Sequence, residues 1–179
     1  MSSPYRTVAF QTFGCKLNYS ETSTLSRDFI SSGYALVDFH EPADLYVINS
    51  CSVTQNADKK THKMIRQIMK RSPSAQIAIV GCYAQLNPEK IINNQSVSVV
   101  LGTKEKFNLQ NYVDAIDNND TTIIMRSDID KIDTFNPSHS LGERARSFLK
   151  VQDGCDYNCS FCTIPLARGK SRSSTVDKI

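Results

Sequence analysis

The stretch DLYVINS, residues 44–50, is apolar at successive positions, and AQIAIVG at 75–81 repeats the pattern. A strand with one wet face alternates apolar and polar residues. A run apolar at both parities is buried on both faces, as in a parallel sheet covered by helices. Between the two runs lies TQNADKKTHKMIRQIMKRSP, 54–73, which places Met64, Ile65, Ile68 and Met69 on one helical stripe and stops before Pro73. Strand, helix and strand in this order predict a β-α-β unit.

The alternation continues in both directions. TVAFQTFG at 7–14 reads as a first strand, SETSTLSRDFISSG at 20–33 as a helix and ALVDF at 35–39 as a short run. In that helix Ser20 is the expected N-cap, Leu25, Phe29 and Ile30 the inner face, and Gly33 the stop. Downstream come a short helix at 88–93, the strand VSVVLG at 97–102, a polar helix over 107–116 and an edge strand TTIIM at 121–125. The expected fold class is α/β, an open, mostly parallel sheet with helices on both faces. Periodicity fails over 126–146, which reads as a linker between a domain at 1–125 and a second one starting at 147. SFLKVQDG, 147–154, has the look of a new strand. The remaining stretch, about 33 residues, is too short for a core of its own, so a truncated chain is expected.

Composition narrows the class. The chain has 179 residues, 40% hydrophobic and 22% charged, with 21 basic and 18 acidic residues giving a net charge of +3. No apolar run is long enough to span a membrane, and MSSPYRTVAF lacks the basic-then-apolar pattern of a secretory signal. A cytoplasmic protein without a membrane partner is expected. There, six cysteines point to metal ligation or catalysis before disulfides.

The cysteines fall into two sets. Cys15, Cys51 and Cys82 each follow an apolar strand directly, in FGCKLN, NSCSVT and VGCYAQ. In a parallel sheet these positions share the carboxyl edge, where ligands bind near the reversal of strand order. Glycine precedes two of them and lets the backbone turn tightly. A lone cysteine at such a place reads as a buried thiol; three at the same structural position favour a common ligand. Structural zinc takes four protein ligands, and His40, His62 and His139 lie at none of these strand ends. An iron–sulfur cluster with three cysteines and one open iron suits the set better. The second set, Cys155, Cys159 and Cys162, forms C-x3-C-x2-C with Phe161 between the last two, and again three thiols occur without a fourth ligand.

C-x3-C-x2-C after a strand resembles the signature of the radical S-adenosylmethionine enzymes. Together with FGCKLN, NSCSVT and VGCYAQ, the chain resembles the methylthiotransferases of that superfamily. TFGCKLNYSET, CSVTQNADKK and GCYAQ resemble the branch acting on N6-threonylcarbamoyladenosine in tRNA, with Lys16 after the first cysteine. The other branches act on isopentenyladenosine in tRNA or on a ribosomal protein. The resemblance implies two 4Fe-4S clusters, one at Cys15, Cys51 and Cys82 and one at Cys155, Cys159 and Cys162. S-adenosyl-L-methionine would chelate the open iron of the latter, with Phe161 near its adenine. It further implies a 5'-deoxyadenosyl radical that takes the hydrogen from C2 of the adenine, a tRNA anticodon stem-loop as substrate, and an electron donor such as a flavodoxin. Residues 147–179 would be the first strand and cluster loop of a truncated radical-domain, partial TIM-like barrel, and the chain alone would be inactive. No catalytic residue is assigned. The rival expectation is a non-catalytic zinc or iron–sulfur module.

Several charged groups admit two readings. Lys59, Lys60, Lys63, Arg66, Lys70 and Arg71 could meet RNA phosphates or simply form the wet face of their helix. Arg168, Lys170 and Arg172 in LARGKSRSS could meet substrate or cofactor, or belong to a frayed end. Asn18 and Glu21 could orient a ligand beyond Cys15 or cap the first helix.

Overall fold

The structure, a computed structural model, describes residues 6–51, 55–93, 96–116, 121–141 and 146–179, with the backbone alone at 55–58. Residues 52–54 of the CSVT motif and 142–145 of the expected linker lie outside the described residues.

The elements run β1 (Thr7–Thr12), α1 (Lys16–Ser31), β2 (Ala35–Leu36), β3 (Leu45–Ser50), α2 (Gln55–Arg71) and β4 (Gln76–Gly81). They continue as α3 (Cys82–Leu86), α4 (Pro88–Ile92), β5 (Val99–Leu101), α5 (Leu109–Ile116), β6 (Ile123–Met125) and α6 (Ile164–Arg168). Short 3-10 turns occupy Glu105–Asn108, Ile129–Lys131 and Val176–Lys178. The strands form one sheet in the order β2-β1-β3-β4-β5-β6, and every pairing is parallel. The expected α/β class is what forms, with β6 at the edge.

The unbroken apolar runs have the anticipated cause. In β3, Tyr46 and Ile48 pack into one hydrophobic core while Leu45 and Val47 pack into the other; in β4, Ile77 and Ile79 divide from Ala78 and Val80 in the same way. The first core takes Ile65 and Ile68 of α2, Tyr83 and Ala84 of α3 and Ile91 of α4. The second takes Phe29 of α1 with Leu109 and Val113 of α5. Met64 and Met69 pack partly buried against the first core, so the α2 stripe faces inward as its spacing predicts.

Three local expectations are corrected. Helix α1 starts at Lys16 with Cys15 as its N-cap residue, and Ser20 sits inside it, its hydroxyl donating to the Leu17 carbonyl at 2.9 Å. The helix starts early because the chain turns at Gly14, where φ is 106°. Its inner face near the sheet edge is polar, with Asn18, Ser20, Glu21, Thr22 and Ser23 all buried, and this hides the apolar period. Ile30 lies outside the inner face at 48% exposure, while Leu25 and Phe29 are buried. Finally, 147–154 forms no strand. It makes only isolated antiparallel bridges, His139 with Leu149 and Asp153 with Arg172, because no neighbouring described segment offers it a continuous ladder.

The segment expected as a linker packs against the sheet domain. Ile132, Ser138 and Ser140 are buried, Arg27 of α1 donates to the His139 carbonyl at 2.9 Å, and the Gln85 amide donates to the Ser127 carbonyl at 3.0 Å.

Candidate functional site

Strand register places the first three cysteines. Thr12 pairs with Asn49 and Ser50 with Gly81, so β1, β3 and β4 end nearly level. Cys51 and Cys82 are the residues immediately after the Ser50–Gly81 pair, on adjacent strands that such sheets hold about 4.8 Å apart. Cys15 follows the turn beyond β1, across the point where strand order reverses between β1 and β3. Cys51 and Cys82 are buried and Cys15 is exposed; none of the six cysteines is in a disulfide.

All three cysteines line one cavity of about 240 Å³, which Gln152, Gly154, Thr163 and Arg168 line as well. The glycines before two of the cysteines act as their positions suggested. At Gly14 a Cβ would stand 2.6 Å from Cys51 Cβ and 2.7 Å from its Sγ. At Gly81, φ is 97° and a Cβ would stand 2.4 Å from Asn49 Oδ1. Only a residue without Cβ lets the backbone pass this close to the cysteine shelf. Among the described residues, no three His, Cys, Asp or Glu side chains converge on a point where one metal ion could bind. The thiols surround a space instead, and such a donor set fits a group of several atoms that offers each thiolate its own metal.

The second set occupies one loop. Cys155 and Cys162 are half-buried and Cys159 is exposed. The Cys162 N–H donates to the Cys159 carbonyl at 3.0 Å, and the Cys155 N–H to the Gly169 carbonyl at 3.0 Å. Gly154 and Thr163, the residues flanking this loop, reach the cavity of the first set. Phe161 is 89% exposed and does not line that cavity. His62 pairs with the Tyr83 hydroxyl at 3.2 Å, and the Arg27 guanidinium lies 3.3 Å from His139 Nε2.

Between the two sets runs a buried charge network. Glu21 accepts from Arg168 at 3.0 Å on Oε1 and 2.9 Å on Oε2, from Lys150 at 2.9 Å, and from Lys106. Asp153 accepts from Arg168 at 2.7 Å and pairs with Lys150 at 2.6 Å. Asn18 accepts from Arg168 at 2.6 Å, and its amide nitrogen donates to the Phe13 and Ser50 carbonyls at 2.9 and 3.2 Å. The Cys15 thiol lies 3.9 Å from Asn18 Oδ1. Asn18 and Glu21 therefore do not cap α1; they tie its first turns to the cysteine shelf and to the C-terminal segment. Burial alone would raise the Glu21 carboxyl, but Arg168, Lys106 and Lys150 outweigh it and hold it well below the ordinary carboxylate value. Burial pushes the Lys106 ammonium below its usual value, against the attraction of Glu21.

Lys106, Lys150 and Asp153 are the members the sequence reading missed. Lys150 has a faint signal, a lone charge inside the apolar SFLKV; Lys106 and Asp153 have none. Of the basic helix, Lys59, Lys60, Lys63, Arg66 and Lys70 are exposed. Arg71 instead donates to the Phe39 carbonyl at 2.7 Å.

Residues 7–102 match the model of Uncharacterized protein family UPF0004. This is more than half of the chain, which belongs to that family. The relatives it matches bear methylthiotransferase names, in keeping with the cysteine motifs. It is 38% identical over 175 residues to the threonylcarbamoyladenosine tRNA methylthiotransferase MtaB of Bacillus subtilis (strain 168), covering 97% of this chain and 39% of that protein. With the protein of the same name from Aquifex aeolicus (strain VF5) it shares 38% over 174 residues, 96% of this chain and 42% of the relative. The tRNA-2-methylthio-N(6)-dimethylallyladenosine synthase of Chloroherpeton thalassium (strain ATCC 35110 / GB-78) is 29% identical over 177 residues, 96% of this chain and 39% of that one. The resemblance to the threonylcarbamoyladenosine branch is thus borne out. The chain spans about two fifths of the length of these relatives. Among the described residues, no helix is long and apolar enough to cross a membrane.

Proposed function

We propose that this chain is the sulfur-handling portion of a radical S-adenosylmethionine tRNA methylthiotransferase, acting at C2 of N6-threonylcarbamoyladenosine beside the anticodon. Cys15, Cys51 and Cys82 hold one 4Fe-4S cluster, and Cys155, Cys159 and Cys162 hold the other. S-adenosyl-L-methionine binds at the second, with Phe161 beside its adenine. The modified tRNA stem-loop is the substrate and a flavodoxin-type protein the electron donor, in the cytoplasm. Residues 1–125 form the auxiliary-cluster domain, 126–146 the connection and 147–179 the opening of the radical domain. The observation that carries this reading is the single cavity shared by the three cysteines that follow β1, β3 and β4 and lined also by the segment that bears the other three.

When bound, these cofactors supply the radical and methylthio-donating chemistry. The protein's own residues hold and shield them. Gly14 and Gly81 let the backbone pass close under the shelf. Thr163, Ile164 and Ala167 cover the cavity and limit water, and Arg168 fixes the cover to α1.

Anaerobic loading with ferrous iron and sulfide, followed by iron and sulfide analysis, tests the reading. About eight irons per chain are expected, falling to about four when either cysteine triplet is replaced by alanine. Stoichiometric zinc without visible absorption would sink it. For the substrate, mass spectrometry of tRNA nucleosides from cells lacking the full-length gene should reveal loss of the methylthio group from threonylcarbamoyladenosine. Loss from isopentenyladenosine instead would overturn that assignment.

A further inference from the structure

Arg168 is placed for more than holding the fold together. It follows the C-x3-C-x2-C loop, at the last position of α6, yet it lines the cavity of the other three cysteines. Its guanidinium is fixed by four hydrogen bonds, two to Glu21, one to Asp153 and one to Asn18, and the residue is buried. Among the described residues, Lys106, Lys150 and Arg168 are the cations at the centre of this network and pair with the carboxylates of Glu21 and Asp153. Arg172 adds a further cation 3.8 Å from Asp153. A buried excess of positive charge is costly unless an anion faces it, and the neighbouring space that can hold one is the cavity lined by Cys15, Cys51 and Cys82. Cys82 lines the same cavity as Arg168.

We propose that Arg168 is a positioning residue that presents a fixed positive charge to the Cys15–Cys51–Cys82 cavity, completing its charge balance only when an anionic iron–sulfur group is bound there. Three thiolates give such a group net negative charge, and reduction makes it more negative. Arg168 therefore favours the reduced form. Because the same guanidinium anchors 150–168 to α1, filling the cavity tightens the attachment of the second cysteine loop. This inference rests on the cluster reading above.

The test uses the full chain with Cys155, Cys159 and Cys162 replaced by alanine, so that a single site remains, loaded with ferrous iron and sulfide. In a redox titration followed by electron paramagnetic resonance, Arg168→Gln is expected to shift the reduction potential to more negative values. Arg168→Lys, which keeps the charge, should restore most of it, and Glu21→Gln should shift it the opposite way. Generalised damage to packing would not produce shifts of opposite sign. An unchanged potential in Arg168→Gln at equal iron content overturns the proposal. A second measurement needs no substitution at Arg168. In the unaltered chain, hydrogen exchange of amides 150–172 should slow on loading, and no slowing overturns the coupling even where the variants fail to fold. If the unaltered chain takes up no iron and sulfide at all, the cluster reading fails first and this inference falls with it; loading with no shift and no slowing defeats the inference alone.

Discussion

The two cysteine sets gather three thiols each by opposite means. Cys15, Cys51 and Cys82 are remote in sequence and are brought to one cavity by the register of three parallel strands, with two of them buried. Cys155, Cys159 and Cys162 are neighbours in sequence, set by one loop, and none is buried. The first arrangement is only as good as the fold beneath it. The second is nearly independent of that fold but is left open to solvent. What connects them is the Glu21–Arg168–Asp153 network, so that network is where the contrast can be attacked first.

The largest effect should come from Glu21→Ala, which leaves Lys106, Lys150 and Arg168 without their shared carboxylate. A loss of about 3–5 kcal/mol is expected from breaking a buried pair on one side, read from the urea midpoint. A loss below about 1 kcal/mol would mean that the network adds little to the fold. The pH dependence follows with a definite sign. The Glu21 carboxyl in the folded state titrates well below its ordinary value of 4.5. Its stabilisation is therefore complete above that value and is lost as pH falls through and below it. Stability measured from pH 7 downwards should drop more steeply in the parent than in Glu21→Gln.

Next in size, Gly81→Ala places a Cβ 2.4 Å from Asn49 Oδ1 at a φ of 97°. Roughly 2 kcal/mol of stability should go, with Cys82 displaced and iron retention at the first site impaired ahead of the second. Equal losses at both sites would erase the distinction drawn between a fold-built and a loop-built site. Smaller still, Cys51→Ser puts a hydroxyl into a buried position and should cost about 1–2 kcal/mol in the unloaded chain. Cys159→Ser in the exposed loop should stay within about 0.5 kcal/mol. The smallest effect belongs to Phe161→Ala, whose ring is 89% exposed; thermal unfolding of the unloaded chain should scarcely move.

The same contrast explains how much could be read from the sequence. Strands β3 and β4 were legible because burial on both faces leaves their composition no alternation. The cysteines at their ends were legible because a parallel sheet sends every carboxyl end to one edge. The start of α1 was not. Its first turns bury Asn18, Glu21 and Thr22 against partners up to 150 positions away in sequence, so polar residues stand where an amphipathic pattern expects apolar ones. The strand expected at 147–154 failed for the opposite reason. Its local pattern suits a strand, but a strand also needs a neighbour, and here only Leu149 and Asp153 find one. Helix α3 escaped notice because it begins at Cys82 itself and spans only five residues. Lys106 and Asp153 could not be foreseen, since the burial of a charge is decided by what faces it.

The wide sequence separation of Glu21 from its partners also orders events during synthesis. Residues 7–125 carry every strand of the sheet and both hydrophobic cores, so that part can collapse while Lys150 and Arg168 have not yet left the ribosome. Until they do, the Glu21 carboxylate faces a groove open to water. Closure over the cysteine shelf is then the last act of a vectorial process. Nascent chains halted near residue 140 should hold a protease-resistant sheet with Cys51 and Cys82 open to a bulky thiol reagent, and chains extended beyond Arg168 should shield them. Shielding already complete at residue 140 would place closure earlier.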